Sequence, residues 1–500
     1  MKIKRILPLL PLSLVSVFAL SGCDNNDEVR VLRILNCEDY IYEYEEGDEE
    51  FSSGANDYKM DMVDQFIAYW AENHKGEEIE VVYDTFDTNE TMFNELQTGK
   101  TSYDVIVPSD YMVQKLLSND MLEKFDDSEL DNLWENISPY LKDKFEHIKS
   151  GDESIYNYSV PYMWGTVGVM YNPEYYEGIE EEHVHELFAD WDSLYGEELQ
   201  GSFSIKDSVR DTYAVSLIHN FRDTIAGIND NAELTSVFNK NDVETMAEVK
   251  ADMLKLKENA FGFECDSGKT DMTTQKIGAN MCWSGDATWA ITEAEDNDLT
   301  LYYSIPTSYN GENAKGASNV WFDGFCMPKG ADKEIAQEFI KFMSMPENAA
   351  QNCYCVGYTP GVAGDAMLDY VYDCYDVRGE VGGTSDEEYE LYDLRYFFKD
   401  SLSEYDENDA ILHASLDSVG RQLTAQYPSA DILDRLAIMN DFGPEGNARL
   451  LDMWEQVRTN ALPLWGIIIL AVEAVAGIAF AAYLIVHKVN RKRFKKERRS

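Results

Sequence analysis

The chain has 500 residues, with 93 acidic against 41 basic side chains and a formal charge of −52. That length allows a sizeable core divided over about two to four lobes. The acidic excess repels phosphate and excludes nucleic acid as a partner. It suits cationic ligands, which an acidic cleft concentrates, although a solvated, solubilising surface is the simpler origin of such a charge.

The first segment reads as a processing signal. Lys2, Lys4 and Arg5 precede an apolar run from Ile6 to Leu20, and Leu20-Ser21-Gly22-Cys23 follows. Small residues before a cysteine at that place resemble a bacterial lipobox, so residues 1–22 are expected to be removed and Cys23 to carry lipid. Residues 23–29 are a polar linker. The pattern then predicts a strand over Val31–Asn36 and an acidic loop from Glu38 to Glu50. Met60, Val63, Phe66, Ile67 and Trp70 recur at helical spacing. A strand follows over Ile79–Tyr83, then a helix capped by Thr88 or Asn89 and running through Leu96, then a short buried strand over Asp104–Val107. Strand–helix–strand–helix–strand order implies a parallel sheet with crossover helices.

A similar mixture fills roughly 165–315. Gly201–Ile205 and Ala279–Trp283 read as strands and Val243–Leu256 as a helix. A strand over Asn319–Met327 and a helix over Lys333–Met343 come next, and an acidic stretch at about 365–435 reads as an insertion of helices and loops. Leu462–Val486 is apolar except for Glu473, long enough to cross a hydrocarbon core of ~30 Å. Trp465 and Tyr483 lie near its ends, and a basic tail covers 487–500. A transmembrane helix with a cytoplasmic tail and an outer body is therefore expected, the helix serving as a tether. Glu473 in it costs about 2.5–3.5 kcal/mol unless protonated or paired. Apart from Cys23, seven cysteines remain, an odd number that leaves at least one thiol unbridged within the chain. A bridge from Cys353-Tyr354-Cys355 to Cys374 is one option.

The ends of the predicted strands carry acids and rings together. Asn36-Cys37-Glu38-Asp39-Tyr40 follows the first strand, Pro108-Ser109-Asp110-Tyr111 the third, and Trp283-Ser284-Gly285-Asp286 the one at Ala279. Trp321-Phe322-Asp323 and Gly357-Tyr358-Thr359-Pro360 lie further on. In open α/β sheets ligands sit beyond the carboxyl ends of strands. Aromatic faces attract alkylammonium groups, and carboxylates bind them through charge-assisted hydrogen bonds. A single such residue is more often core than site; five groups in topologically equivalent places point to a ligand with ammonium ends and a polymethylene stem.

On these stretches, together with Thr88–Met92, Tyr103–Tyr111 and Ser159–Gly165, the sequence resembles the spermidine/putrescine-binding lipoproteins of ABC transporters. The likeness covers roughly 30–360, with a shorter match at 436–458. It implies an α/β, two-lobed periplasmic-binding-protein fold of type II with a hinge cleft, here followed by the C-terminal transmembrane helix. The expected division is 30–163 and 321–372 for lobe 1, and 164–320 and 373–460 for lobe 2. By position, the resemblance makes Asp39 the carboxylate holding one amine and Asp323 the acid meeting another. It makes Tyr40, Tyr111, Trp283, Trp321 and Tyr358 the aromatic walls, and Ser109 a polar contact. Asp211 stands where the family often has Glu, and Asp286 matches an acid of putrescine-preferring members. Cys37 replaces the usual Trp, Ser208 an Asp, and Met439 a Gln. The last two changes lean toward a shorter diamine, whereas Tyr111 and Trp321 lean toward spermidine. The implied partners are a polyamine, an ABC permease and ATPase, and the membrane. No cofactor or metal is expected.

The seven histidines are scattered, His183-Val184-His185 lacks metal-site spacing, and no phosphate loop or nucleophile elbow is present. An enzyme is therefore not expected. A membrane-anchored receptor or sensor, or a binder of another organic cation, is the alternative.

Overall fold

The computed structural model describes residues 29–44, 59–309 and 314–459. Eight strands form the frame: β1 (Arg30–Cys37), β2 (Ile79–Phe86), β3 (Val105–Ile106), β4 (Ser159–Tyr171), β5 (Phe203–Lys206), β6 (Gly262–Glu264), β7 (Ala279–Trp283) and β8 (Ser318–Pro328). Their order across the sheet is β2-β1-β3-β8-β4-β7-β5-β6. β1 pairs in parallel with both β2 and β3, as the alternating helices and strands predict. The helices of this part are Met62–Asn73, which buries Phe66 and Trp70, and Asn89–Thr98. The latter is capped by Thr88, whose side chain accepts from the amide of Thr91.

Two lobes arise because the long strands β4 and β8 each serve both halves. The first part of β4 pairs antiparallel with β8, from Val320 opposite Thr166 to Cys326 opposite Ser159. Beyond Thr166 the same strand turns to β7, with Trp283 opposite Val167 and Ala279 opposite Tyr171. Every residue of β4 and β8 is buried. Central strands covered on both faces have no polar side to show, which is why they lack alternation. β8 is bulged between Asp323 and Gly324, and a bulge re-aims the side chains beside it.

The acidic stretch after residue 365 differs from expectation. It holds a helix, Asp365–Tyr375, and an antiparallel pair, Tyr389–Asp393 with Ile411–Ser415, which the sequence does not suggest. After it, Arg435 inserts its guanidinium between three backbone carbonyls, donating to Gly316 at 2.7 Å, Ile228 at 2.5 Å and Ile225 at 3.1 Å. Arg435→Ala leaves the Gly316 and Ile228 carbonyls without this donor, at about 1–3 kcal/mol each before relaxation, whereas the Ile225 carbonyl still accepts from the Ile228 amide. A net loss of ~3 kcal/mol is expected in equilibrium urea denaturation.

The expected membrane-spanning element requires correction. Among the described residues no helix is long and apolar enough to cross a membrane. The longest, Val243–Asn259, has 17 residues and carries charged side chains along its outer face. The two-lobed body is therefore described without a transmembrane helix, and the cytoplasmic placement of the tail has no support. Residues 462–486 and 487–500, the signal segment 1–22 and Cys23 lie outside the described residues. The seven cysteines that are described are all unbridged.

Candidate functional site

A cavity of ≈ 300 Å³ opens where the two lobes meet. All ten residues singled out from the sequence line it: Asp39, Tyr40, Ser109, Tyr111, Asp211, Trp283, Asp286, Trp321, Asp323 and Tyr358. They arrive from six separate segments because β1, β3, β5 and β7 end at or beside the cavity while β8 passes it at Trp321 and Asp323. Three of the helices that begin at its wall are Asp110–Ser118 after β3, Val209–Asn220 after β5, and Ser284–Glu295 after β7. Each has an acid in its first turn, Asp110, Asp211 and Asp286, where the positive end of the helix dipole favours a carboxylate. The lining carries ten carboxylates against four cationic side chains.

Asp323 lies on β8 at the bulge, next to the backbone bridge that Ser109 makes to it. It is buried, and the Tyr40 hydroxyl donates to its Oδ2 at 2.8 Å. Among the described residues no donor makes a hydrogen bond of ordinary geometry to its Oδ1, although the Ser109 hydroxyl lies close enough to lower its pKa. Burial pushes its pKa up to about 6, against the lowering effect of the Ser109 and Tyr40 hydroxyls, and the charge of Asp211 adds to the rise. Among the described residues no protein cation lies within ion-pair distance of it, in contrast to Asp286.

The rings form a connected wall. Tyr40 meets Tyr162 edge-on at 5.3 Å and Tyr358 at 4.9 Å, and Tyr358 meets Trp321 at 5.8 Å. Tyr358 donates to Asp286 Oδ1 at 2.7 Å, and Trp283 Nε1 donates to Asp211 Oδ2 at 3.1 Å. Arg210 stacks over the rings of Tyr111 at 4.7 Å and Phe442 at 4.0 Å, which fixes Tyr111 against the cavity. Burial raises the Asp211 carboxyl, opposed by Ser208, Trp283, Arg210 and Lys206.

Two carboxylates have partners of their own. Asp39 stands in a left-handed turn with φ 52, its side chain 75% exposed and 3.7 Å from Lys269 Nζ. Asp286 lies 2.8 Å from Lys206 Nζ and 4.0 Å from Lys269 Nζ. Burial alone would raise the Asp286 carboxyl, but those two ammonium groups and the Tyr358 hydroxyl bring it below the usual range. Lys206, Arg210, Lys269 and Glu264 escape the sequence reading, and Asp110, named there in the motif after the third strand, receives no role of its own. Lys206 sits at the carboxyl end of β5, the placement that singles out Trp283 on β7, so the same rule applied to basic residues would have found it. Among the described residues no cluster of His, Cys, Asp or Glu could hold a metal ion.

With this geometry in hand, the profile of the bacterial extracellular solute-binding proteins matches residues 62–366. The chain belongs to that family. It is a family of binding proteins for transport rather than of enzymes, and its members act outside the cytoplasm. A putrescine-binding periplasmic protein of Pseudomonas aeruginosa is 27% identical over 374 residues, 71% of this chain and 85% of the relative. A spermidine/putrescine-binding periplasmic protein of Escherichia coli is 26% identical over 293 residues, 58% of this chain and 73% of the relative. Among solved structures, the spermidine/putrescine ABC transporter substrate-binding protein of Streptococcus pneumoniae superposes with a TM-score of 0.53 at 24% identity, over 86% of this chain and 98% of that one. A lipoprotein of Treponema pallidum gives 0.52 at 19% identity, over 86% and 99%. These two likenesses establish the two-lobed fold.

Proposed function

We propose that the protein captures an alkylammonium ligand of the polyamine class, putrescine or spermidine, in this cleft and delivers it to the permease and ATPase of an ABC importer. The observation that carries the reading is Asp323, a buried carboxylate with one oxygen lacking a hydrogen bond of ordinary geometry, set beside the Tyr40–Tyr358–Trp321 wall in a cavity with surplus acid. An ammonium group there satisfies the carboxylate and lies against ring faces, each such contact worth about 0.5–2 kcal/mol when desolvated. The named ligands of the curated relatives support the same class. Closure of the two lobes over the bound cation about the strands β4 and β8 is the accompanying motion.

Titration calorimetry of the protein with putrescine and with spermidine at moderate salt tests the reading. A saturable heat is expected for at least one of them, together with a rise in melting temperature. No heat and no thermal shift with either amine removes the polyamine ligand and leaves the fold and family untouched.

A further inference from the structure

Two helices from opposite lobes bring their first turns together at the cleft. Asp110–Ser118 follows β3 in one lobe and Val209–Asn220 follows β5 in the other. Arg210 of the second stacks on Tyr111 of the first, with 4.7 Å between guanidinium and ring. Their neighbours in the chain, Asp110 and Asp211, both line the cavity, and they are only 1% and 7% exposed. The Tyr111 amide donates to Asp110 Oδ1 at 2.7 Å, while no donor among the described residues bonds its Oδ2. Trp283 Nε1 donates to Asp211 Oδ2. Among the described residues no cationic side chain lies within ion-pair distance of either acid. Asp286 differs, since Lys206 stands 2.8 Å from it.

Asp323 completes the group. Ser109, the residue before Asp110, is bridged to it through the backbone. The three acids act on one another. Burial pushes the Asp110 carboxyl well above the usual range, the Tyr111 amide and Arg210 oppose the rise, and the charges of Asp323 and Asp211 add to it. One guanidinium therefore faces three buried carboxylates. Lys206, whose charge also reaches Asp211, is already matched by Asp286 and Glu264. Two negative charges are left without a partner, and a diamine carries two positive ones.

We propose that Asp110 is a ligand-binding residue, which faces Asp211 across the cleft and with it seats the second ammonium of a ligand whose first ammonium is held at Asp323. The inference rests on the polyamine reading of the cleft. An ammonium group has three N–H donors, enough to serve a carboxylate on each side. The two acids belong to different lobes, so the same cation ties the lobes together. Without it, two buried like charges oppose closure. Selection for a diamine over a monoamine then comes from this seat, because a neutral far end leaves Asp110 Oδ2 unpaired.

The pair putrescine and n-butylamine tests this, since both have a four-carbon stem and they differ in the second ammonium. In calorimetry the unmodified protein is expected to favour putrescine by about tenfold or more. Asp110→Asn keeps the shape of the side chain and removes its charge. In that variant putrescine is expected to weaken by about tenfold or more and butylamine by less than about threefold, so the preference collapses. An aspartate with a merely structural role would weaken both amines alike. Asp323→Asn, which removes the first seat, should weaken both. If Asp110→Asn does not fold, Asp110→Ser, which keeps a polar side chain at the helix start, takes its place with the same expectation. If neither folds, the ratio in the unmodified protein decides. Equal affinities for the two amines in the unmodified protein overturn the inference, and so does an unchanged ratio in a folded Asp110 variant; both leave the amine site at Asp323 standing. If neither amine nor spermidine binds the unmodified protein, the polyamine reading falls and this inference falls with it.

Discussion

Asp323→Asn is expected to weaken putrescine binding by about a hundredfold or more, because removing one partner of a buried, hydrogen-bonded charge pair costs ~2–5 kcal/mol. The same change should not weaken the empty protein. Asp323 is buried among rings with no cation beside it, and its raised pKa of about 6 records that the ionised form is disfavoured there. The unfolded chain binds this proton more weakly, with a pKa near about 3.9. Between about pH 4 and pH 6 the folded empty state therefore holds more protons than the unfolded one, so this group makes stability fall as pH rises through that window. An uncharged Asn escapes the penalty, and the variant's melting temperature at neutral pH should equal or exceed that of the unmodified protein. Ligand affinity runs the opposite way. The bound ammonium needs the carboxylate, so affinity rises with pH up to about 6 and then levels, falling about tenfold per pH unit below that point. Asp211 and Asp110 also titrate upward through burial, so the share owed to Asp323 is the difference between the two pH profiles. Isothermal titration of both proteins across that range measures it. Equal affinities at neutral pH would sink the anchoring role of Asp323.

How much of this could be read from the sequence depends on what each segment exposes. The helices Val243–Asn259 and Lys333–Met343 are legible because they keep one wet face and so show helical periodicity. The first is also marked by Asp242, which caps the amides of Glu244 and Thr245. The strand Ala279–Trp283 is a short apolar run ending at a site motif. β4 is harder, since thirteen consecutive buried residues that include a proline and two glycines show no period at all. Tyr389–Asp393 is obscure for the opposite reason: four of its five residues are exposed, so no apolar alternation marks it. The site residues are legible as types at strand ends, and the fold gathers all of them at one cavity. Their charge partners are not. A lysine after a strand is ordinarily solvated, and only the return of the chain through Glu264 and Asp286 makes Lys206 a buried cation. For the same reason the sequence cannot distinguish the free carboxylate of Asp323 from the paired one of Asp286.

Gly285 supplies the second large effect, and here two physical rules predict opposite signs. Gly285 is the second residue of the helix Ser284–Glu295. On propensity alone, alanine in a helix is favoured over glycine by about 1 kcal/mol, so Gly285→Ala would stabilise the protein. Packing says otherwise. A Cβ at this position would lie 2.1 Å from Cγ of Tyr358 and 2.3 Å from Cδ1 and Cδ2, well inside the ring's contact distance. Carbon atoms pack at about 3.5–4.0 Å, so the ring would have to retreat by more than about an ångström. It has nowhere to go. Its hydroxyl is tied to Asp286, Tyr40 stands edge-on to it at 4.9 Å and Trp321 lies at 5.8 Å. Behind it, Gly357 holds a left-handed φ of 78, and a Cβ there would meet the Gly285 carbonyl at 2.9 Å. Overpacking of this kind costs about 1–3 kcal/mol, which outweighs the propensity gain. The displaced ring also breaks the hydrogen bond to Asp286 and intrudes on the ligand's path. Gly285→Ala is therefore expected to lower the melting temperature and to weaken amine binding by about tenfold or more. Tyr358→Leu in the same background, by removing the hydroxyl and the rigid ring, should recover part of the stability but none of the affinity. A Gly285→Ala protein that melts higher and binds unchanged would show that Tyr358 is not held against this helix at all.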